Sequence, residues 1–267
     1  MKILECPNLE IHASYACNLF CKSCSHFSDH GIGIANVPLE ELADQMGQWS
    51  GRIQPKNFSI LGGEPALNKE LVAIVRECRK QWPASDLLLV SNGFFLKNHP
   101  NLPKALEQTN CRLDISVHHE GEEYTEKLQP VREMLDSWKA KHNFRLNYRP
   151  SAPKWRTTFE GYGSGMVPWH DENPEASYNV CVSKHCPQIF EGKIFKCPQL
   201  AYLRLMDKKF DLIEEWEKYL SYRPLYPSCS EEELHYFFKT KAEPACAMCP
   251  AHQRLFQIPN PLKKSND

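Results

Sequence analysis

The chain has 267 residues, of which 42% are hydrophobic and 24% charged, and its mean hydropathy is −0.53. At roughly 150 residues per domain, this length predicts one large or two small domains with enough apolar material for a core. Lysine and arginine total 32 against 33 acidic residues, so the formal net charge is −1 and no global basic field exists to attract nucleic acid. These values exclude a disordered or fibrous chain and make nucleic acid an unexpected partner.

The sequence has neither an apolar N-terminal signal nor a run approaching the ~20 apolar residues of a membrane span. We therefore expect a cytoplasmic protein with no membrane partner. Twelve cysteines are many for such a chain, and cytoplasmic disulfides would be kept reduced. The cysteine count therefore favours the binding of a metal or an iron-sulfur cluster.

Apolar and β-branched runs alternate with amphipathic stretches, a pattern that predicts an α/β protein with repeated βα units around a parallel sheet or partial barrel. The predicted strands are 9–14, 57–61, 87–91, 113–118 and 144–149, with helices at 39–49 and 69–81 between them. Further along, a hairpin at 188–196 turns at Glu191-Gly192, and helices follow near 212–220 and 231–241.

These elements divide the chain into four parts. Residues 1–150 form the barrel core, and 151–180, which show little periodicity, form a barrel end or a loop that covers the substrate. A small domain of a β-hairpin plus a helix occupies 181–255, and 256–267 is a tail whose last residues, 259–267, we expect to fray.

Three cysteines, Cys17, Cys21 and Cys24, directly follow the first predicted strand. One compact loop can direct three thiolates at one metal centre. A tetrahedral zinc would need a fourth ligand, which His26 could supply, whereas an iron-sulfur cluster held by three thiolates keeps one iron open. These residues alone leave both alternatives open.

Polar and glycine residues also follow the next two predicted strands. Gly62, Gly63 and Glu64 end the second strand, and Ser91 and Asn92 end the third. Glycine permits close approach of a ligand to the backbone, and sites in βα barrels are built at the carboxyl ends of the strands. The order of these motifs predicts one shared site.

In this order the motifs resemble those of the radical S-adenosylmethionine (radical SAM) enzymes, over roughly residues 9–150. The resemblance implies that the three cysteines hold a four-iron four-sulfur cluster, whose open iron binds S-adenosylmethionine. It also implies that the two glycines and Glu64 hydrogen-bond the methionine ammonium, and that Ser91 and Asn92 contact the ribose or carboxylate. The residue before the third cysteine is usually aromatic or apolar and here is Ser23, which leaves Phe20 or Phe27 as the nearby aromatic residue for the cofactor.

A second group of cysteines lies in the C-terminal part of the chain. Its members are Cys181, Cys186, Cys197, Cys246 and Cys249. The hairpin with Gly192 five residues before Cys197, followed by a distant CxxC, resembles the Twitch domain, the shorter relative of SPASM. That resemblance implies one auxiliary four-iron four-sulfur cluster, and we assign Cys186, Cys197, Cys246 and Cys249 as its ligands, with Cys181 in reserve. A zinc ribbon is the alternative, because tetrahedral zinc sites also use CxxC.

Other residues are candidates for the substrate site. His118 and Arg149 end the fourth and fifth predicted strands and could contact substrate at the barrel mouth. Cys111, Cys181 and Cys229 are the candidate thiols for returning a hydrogen atom to a substrate radical.

The resemblance implies cleavage of S-adenosylmethionine to a 5′-deoxyadenosyl radical that takes hydrogen from a substrate, with electrons from a flavodoxin or ferredoxin. We expect a small polar metabolite, of the sugar or aminocyclitol type, to be dehydrogenated or epimerised. Peptide-modifying relatives commonly carry a leader-binding domain, and only sixteen residues precede Cys17, which favours the metabolite. The alternatives are modification of a ribosomally made peptide and a zinc-stabilised binding protein without catalysis.

Overall fold

A mostly parallel sheet of seven strands forms the centre of the computed structural model, which describes residues 3–150, 154–169 and 171–264. The strands are β1 (Leu4–Ser14), β2 (Ile53–Gly62), β3 (Asp86–Ser91), β4 (Arg112–Val117), β5 (Leu146–Pro150), β6 (Trp155–Arg156), β7 (Gln188–Phe190), β8 (Lys193–Phe195) and β9 (Leu255–Phe256). The α-helices are α1 (Leu39–Ser50), α2 (Leu71–Gln81), α3 (Leu102–Thr109), α4 (Glu122–Lys139), α5 (Pro174–Val180), α6 (Pro198–Phe210), α7 (Glu217–Leu220) and α8 (Glu231–Lys239).

The sheet has the order β5-β4-β3-β2-β1-β7-β8, and only the last pair is antiparallel. Parallel strands joined by helices are the arrangement that the alternating pattern predicts. The predicted α/β class and partial barrel are therefore confirmed. Strands β6 and β9 form a separate antiparallel pair.

Strand β1 shows how the sequence positions the site. Leu9, Ile11 and Ala13 belong to the main hydrophobic core. Successive side chains of a strand point to opposite faces, so Glu10 and His12 face the other side of the sheet. A strand that is buried on both faces thus carries polar groups into the interior of the barrel.

Helix α2 buries the stripe that its periodicity predicts. Leu71, Ile74, Val75 and Cys78 are buried against the sheet. Helix α1 likewise matches its predicted range within one residue at its carboxyl end. Both helices cover one face of the parallel sheet, as βα units require.

The hairpin of β7 and β8 forms where the sequence predicts it. Glu191 and Gly192 have φ of +50° and +71°, the left-handed pair that a two-residue type I′ turn needs. Strand β7 also pairs with β1 in parallel, with Glu10 opposite Gln188. The hairpin therefore extends the barrel sheet and brings the second group of cysteines to its edge.

Helix α6 lies in a second hydrophobic cluster, which includes Phe27, Phe190 and Trp216. The sequence patterns predict no helix over this range. Leu200, Ala201, Tyr202 and Leu203 are all buried, so nearly every side of its first turns is apolar and no narrow stripe exists. The helix predicted near 212–220 is a 3₁₀ turn, Glu214–Trp216, followed by the single turn α7.

The tail differs from expectation. The Phe20 amide donates to the Pro261 carbonyl at 2.8 Å, and the Asn260 side chain donates to Glu123 at 2.9 Å. The prediction that the tail frays is wrong for residues 259–264, because these hydrogen bonds attach it to the barrel; residues 265–267 lie outside the described part. None of the described helices is long and apolar enough to cross a membrane.

Candidate active site

A cavity of about 280 Å³ lies at the carboxyl ends of β1 to β5. It is lined by the cysteine loop, by the ends of β2 and β3, and by polar side chains from the strands. The residues with a predicted role that line it are Cys17, Cys21, Cys24, Gly62, Gly63, Ser91, Asn92, His118, Arg149 and Cys186. The sequence motifs after three different strands thus meet at one site.

The three thiols of the cysteine loop are buried close to one another. Burial raises the pKa of all three thiols, that of Cys24 to about 11, and the neighbouring thiols raise the pKa of Cys21 further. Three neighbouring buried thiolates would repel one another. These thiols therefore ionise only beside a positively charged group. An iron-sulfur cluster provides that positive charge, so this donor set fits such a cluster.

A single metal ion would need a tighter arrangement of ligands. In the described ranges, no three His, Cys, Asp or Glu side chains are placed to hold one metal ion. An iron-sulfur cluster does not need this, because each thiolate binds a different iron. His26 lines the same cavity, and its ring lies tilted against that of His12, with ring centroids 4.9 Å apart.

Gly62 and Gly63 allow β2 to pass close to the start of the cysteine loop. A Cβ on Gly62 would lie 2.1 Å from the Ser14 carbonyl oxygen, and one on Gly63 would lie 2.3 Å from the Ala16 carbonyl oxygen. Backbone amides of this segment donate to the same two carbonyls. The glycines therefore hold the loop against the end of β2, and both also line the cavity.

Glu64 is fully buried and its carboxylate is engaged by protein groups. It accepts hydrogen bonds from the Ser91 hydroxyl at 2.6 Å, the Asn92 amide at 2.7 Å and the Ala66 amide at 2.9 Å. Burial raises the pKa of this carboxyl to about 7 despite these donors. Glu64 is not among the described residues that line the cavity. Its observed role is to position Ser91 and Asn92, which line it.

Phe20 lies elsewhere than the resemblance implies. It lines a different cavity of about 390 Å³, together with Ser23, Thr157 and Trp169. The Ser23 hydroxyl donates to Thr157 at 3.2 Å, which fixes this side of the loop. Phe27 is fully buried in the second cluster, and the aromatic residue that lines the three-cysteine cavity is Trp155.

His118 and Arg149 both line the cavity, where the sequence predicts them. The Nδ1 atom of His118 lies 3.7 Å from the Cys21 sulfur. Burial lowers the pKa of His118 to about 4, and the Arg149 charge acts in the same direction, so this imidazole is neutral near pH 7. Glu10, Ser59 and Ser116 line the cavity as well and were missed. Their alternation with apolar residues along β1, β2 and β4 was the available signal.

The second group of cysteines differs from the assigned set. Cys181, Cys197, Cys246 and Cys249 line one small cavity beside α5 and α6. Burial is the main cause that raises the pKa of the Cys249 thiol, and the charges of the other three cysteines raise it further. Cys186 instead lines the three-cysteine cavity, because it precedes β7 next to β1. Cys181 thus lines this small cavity where the sequence-based assignment placed Cys186. Burial raises the pKa of Cys186, and the charges of Cys181 and Cys197 also raise it.

The candidate hydrogen-donor thiols are not at the site. Cys111 is fully buried in the main core, and the Cys229 sulfur lies 3.4 Å from the Arg52 guanidinium, before the start of β2. Cys181 lies with the second group. None of these three described thiols lines the three-cysteine cavity, so their role as hydrogen donors stays a prediction without support from the structure.

A parallel partial barrel with three cysteines at the carboxyl ends of its strands defines an α/β protein built to hold a redox cluster. The family model of the radical SAM superfamily matches residues 11–145. The chain belongs to the radical SAM superfamily. Membership implies catalysis with S-adenosylmethionine and one four-iron four-sulfur cluster.

Solved structures with a similar fold are radical SAM proteins of low sequence identity. BtrN in complex with AdoMet and 2-DOIA is 16% identical, with 93% of both chains covered and a TM-score of 0.50. Native anSMEcpe with bound AdoMet and Cp18Cys peptide is 18% identical over 53% of this chain, with a TM-score of 0.40. Streptococcus suis SuiB bound to S-adenosylmethionine is 15% identical over 83% of this chain and 69% of its own, with a TM-score of 0.35.

The chain spans 42% of the length of anSMEcpe. A search of the curated proteins finds no match. These likenesses describe the fold, and they leave the substrate to be argued from the site.

Proposed function

We propose that this chain is a radical SAM oxidoreductase or epimerase that abstracts a hydrogen atom from a small polar metabolite of the sugar or aminocyclitol type. When bound, the reduced cluster and S-adenosylmethionine supply a 5′-deoxyadenosyl radical. The observation that carries the proposal is the three-cysteine cavity, which joins the three-cysteine loop to charged and hydroxylated side chains of the barrel wall.

The chain's own residues would hold and enclose the reactants. Cys17, Cys21 and Cys24 would ligate the cluster. The ends of β2 and β3, at Gly63 and Ser91, would contact S-adenosylmethionine. The strand ends that form the cavity wall would orient the bond to be broken.

We expect a small metabolite rather than a peptide, because Ser183, Cys186 and Pro198 close one side of this cavity. BtrN, which was solved with 2-DOIA, resembles the chain over 93% of both lengths. This likeness agrees with a small-metabolite substrate. Modification of a peptide is the second candidate, since SuiB was solved bound to the precursor peptide SuiA.

We also propose an auxiliary cluster in a Twitch-like C-terminal region, with Cys181, Cys197, Cys246 and Cys249 as ligands. The support is their shared cavity and the effect of their charges on one another's pKa. Such a cluster would accept or pass an electron after hydrogen abstraction, and a cytoplasmic flavodoxin or ferredoxin would deliver electrons. Zinc is the alternative ion, and an assay of iron and acid-labile sulfide separates the two.

Deuterium transfer tests the proposed substrate class. Anaerobic, reconstituted protein would be incubated with S-adenosylmethionine, dithionite and perdeuterated amino sugars, cyclitols or aminocyclitols. Deuterium in the 5′-deoxyadenosine is expected with at least one of them, and turnover in deuterated water then distinguishes oxidation from epimerisation. Transfer from a peptide library alone would overturn the metabolite proposal. Zinc without sulfide would overturn the enzyme proposal altogether.

A further inference from the structure

Glu10 and Cys186 form one wall of the three-cysteine cavity. The backbone brings them together, because Glu10 pairs with Gln188 across β1 and β7 and the Glu10 amide donates to the Pro187 carbonyl at 3.0 Å. The Cys186 thiol lies beside the Glu10 carboxylate, which interacts with it. The two side chains therefore share the same position along the barrel axis.

A chain of buried side chains holds the Glu10 carboxylate in place. The Gln188 side-chain amide donates to Glu10 and, at 2.9 Å, to the Cys186 carbonyl. The Tyr202 hydroxyl donates to Gln188 Oε1 at 2.9 Å. Gln188 and Tyr202 are fully buried, and Glu10 is 9% exposed. Burial raises the pKa of Glu10, whereas Gln188, Cys186 and Arg149 lower it, so a ligand amine at this cavity wall would favour the ionised carboxylate further.

Arg149 provides the opposite charge on the other wall. It belongs to β5, which is separated from β1 by three strands of the sheet. Both side chains line the cavity, and the Arg149 charge acts on the Glu10 carboxyl across it. The hydroxyls of Ser59 and Ser116 lie on the strands between them. The cavity between the cysteine loop and these residues thus carries two charged side chains and two hydroxyls, beside apolar wall residues such as Leu61 and Trp155.

We infer that Glu10, Cys186 and Arg149 form the substrate-binding set of this site, for a small polyhydroxylated ring that carries an amine. The amine would donate to the Glu10 carboxylate, and a ring hydroxyl would accept from Arg149. Cys186 contacts the substrate in this arrangement and ligates no iron. The inference rests on the proposed function and specifies its substrate class.

Binding of two matched probes tests the role of Glu10. Reconstituted protein with S-adenosylmethionine would be titrated calorimetrically and anaerobically with streptamine, a diaminated cyclitol, and with myo-inositol, which has no amine. Streptamine is expected to bind at least about tenfold more tightly, and Glu10→Gln to remove about ten- to hundredfold of that affinity. Glu5→Gln, an exposed change on the same strand, is the matched control and is expected to change nothing.

Equal binding of the two probes, binding of neither, or an unchanged streptamine affinity in Glu10→Gln would overturn the inference. Formation of 5′-deoxyadenosine by the wild type is measured in parallel. Its absence would overturn the proposed function, whereas its presence beside a negative binding result would overturn the inference alone.

Two further measurements test Cys186. Cys186→Ala is expected to keep the iron content of the wild type, whereas Cys181→Ala is expected to lose about half of it. Streptamine is expected to slow alkylation of Cys186 by iodoacetamide, followed by mass spectrometry. Loss of iron in Cys186→Ala would show that this thiol ligates a cluster, and undiminished alkylation would place the probe elsewhere; either result would overturn its assignment to the substrate.

Discussion

The Glu64 carboxylate accepts a hydrogen bond from the Ser91 hydroxyl over 2.6 Å, which ties the end of β2 to the end of β3. The same hydroxyl accepts from the Gly93 amide at 2.9 Å, so the bond also fixes the turn after β3. Asn92 in turn donates its side-chain amide to Asn18 in the cysteine loop at 2.8 Å. A carboxylate below the cavity thus organises two segments that line it.

Glu64→Ala is expected to destabilise the protein by several kcal/mol, because it leaves buried donors of Ser91, Asn92 and Ala66 without an acceptor, at about 1–3 kcal/mol for each group. Ser91→Ala removes one partner only and is expected to cost about 1 kcal/mol. Denaturant unfolding of both variants and of the double variant gives their coupling energy. Additive effects would mean that the Glu64–Ser91 bond contributes nothing to stability.

Gly192→Ala is expected to destabilise the protein by about 1–2 kcal/mol, because residue 192 has a positive φ and a Cβ there would lie 2.8 Å from Gln48 Oε1. The Gly192 carbonyl also accepts from the Trp49 indole at 2.9 Å, so the turn is held in position. Thermal unfolding measures the loss. Gly47→Ala, in the exposed middle of α1 with open space around it, is the control and is expected to stabilise by about 0.5–1 kcal/mol.

The burial of His12 predicts that the protein loses stability in acid. It is 1% exposed, its ring nitrogens have no hydrogen-bond partner among the described residues, and burial holds its pKa well below the ordinary value. A histidine with a lowered folded-state pKa contributes stability that is complete above about pH 6.5 and is lost as the pH falls toward the folded-state pKa. The loss amounts to at most about 1.4 kcal/mol per pH unit for this group.

His12→Phe is expected to flatten the fall in unfolding temperature between pH 6.5 and pH 5, since phenylalanine keeps the stacking on Tyr202, whose ring lies 4.2 Å away, without a group to protonate. His235→Gln, on the exposed face of α8, serves as the comparison and should keep the wild-type profile. An unchanged slope in His12→Phe would show that other groups cause the acid sensitivity.

The iron content tests the two ligand sets together. Fully reconstituted wild type is expected to hold about eight irons, and the triple variant Cys17→Ala, Cys21→Ala and Cys24→Ala about four, in the second group. Cys249→Ala should likewise retain about four, in the first. A wild-type value near four after complete reconstitution would mean that the second group holds no iron-sulfur cluster.

Much of the fold could be predicted from local sequence. The five parallel strands, α1, α2 and the Glu191-Gly192 turn each follow from periodicity or from turn chemistry over a few residues. Helix α6 could not, because its burial depends on a cluster formed with residues far away in the chain.

The site also has residues that local sequence predicts and residues that it does not. Cys17, Cys21, Cys24, His118 and Arg149 lie in one cavity as predicted, since the carboxyl ends of parallel strands meet. The choice between Cys181 and Cys186 depends on the pairing of β7 with β1, which no local pattern reveals. Alternation with apolar residues along β1 indicates that Glu10 faces the barrel interior, but the residue that holds its carboxylate comes from beyond residue 180.

Reductive cleavage of S-adenosylmethionine tests the central claim most directly. Anaerobic protein with its clusters reconstituted and reduced by dithionite is predicted to form 5′-deoxyadenosine and methionine in equal amounts, and the triple Cys17, Cys21 and Cys24→Ala variant is predicted to form neither. Cleavage that persists in that variant, or a wild type with full iron and sulfide that forms no 5′-deoxyadenosine, would contradict the assignment of this cavity as a radical SAM site.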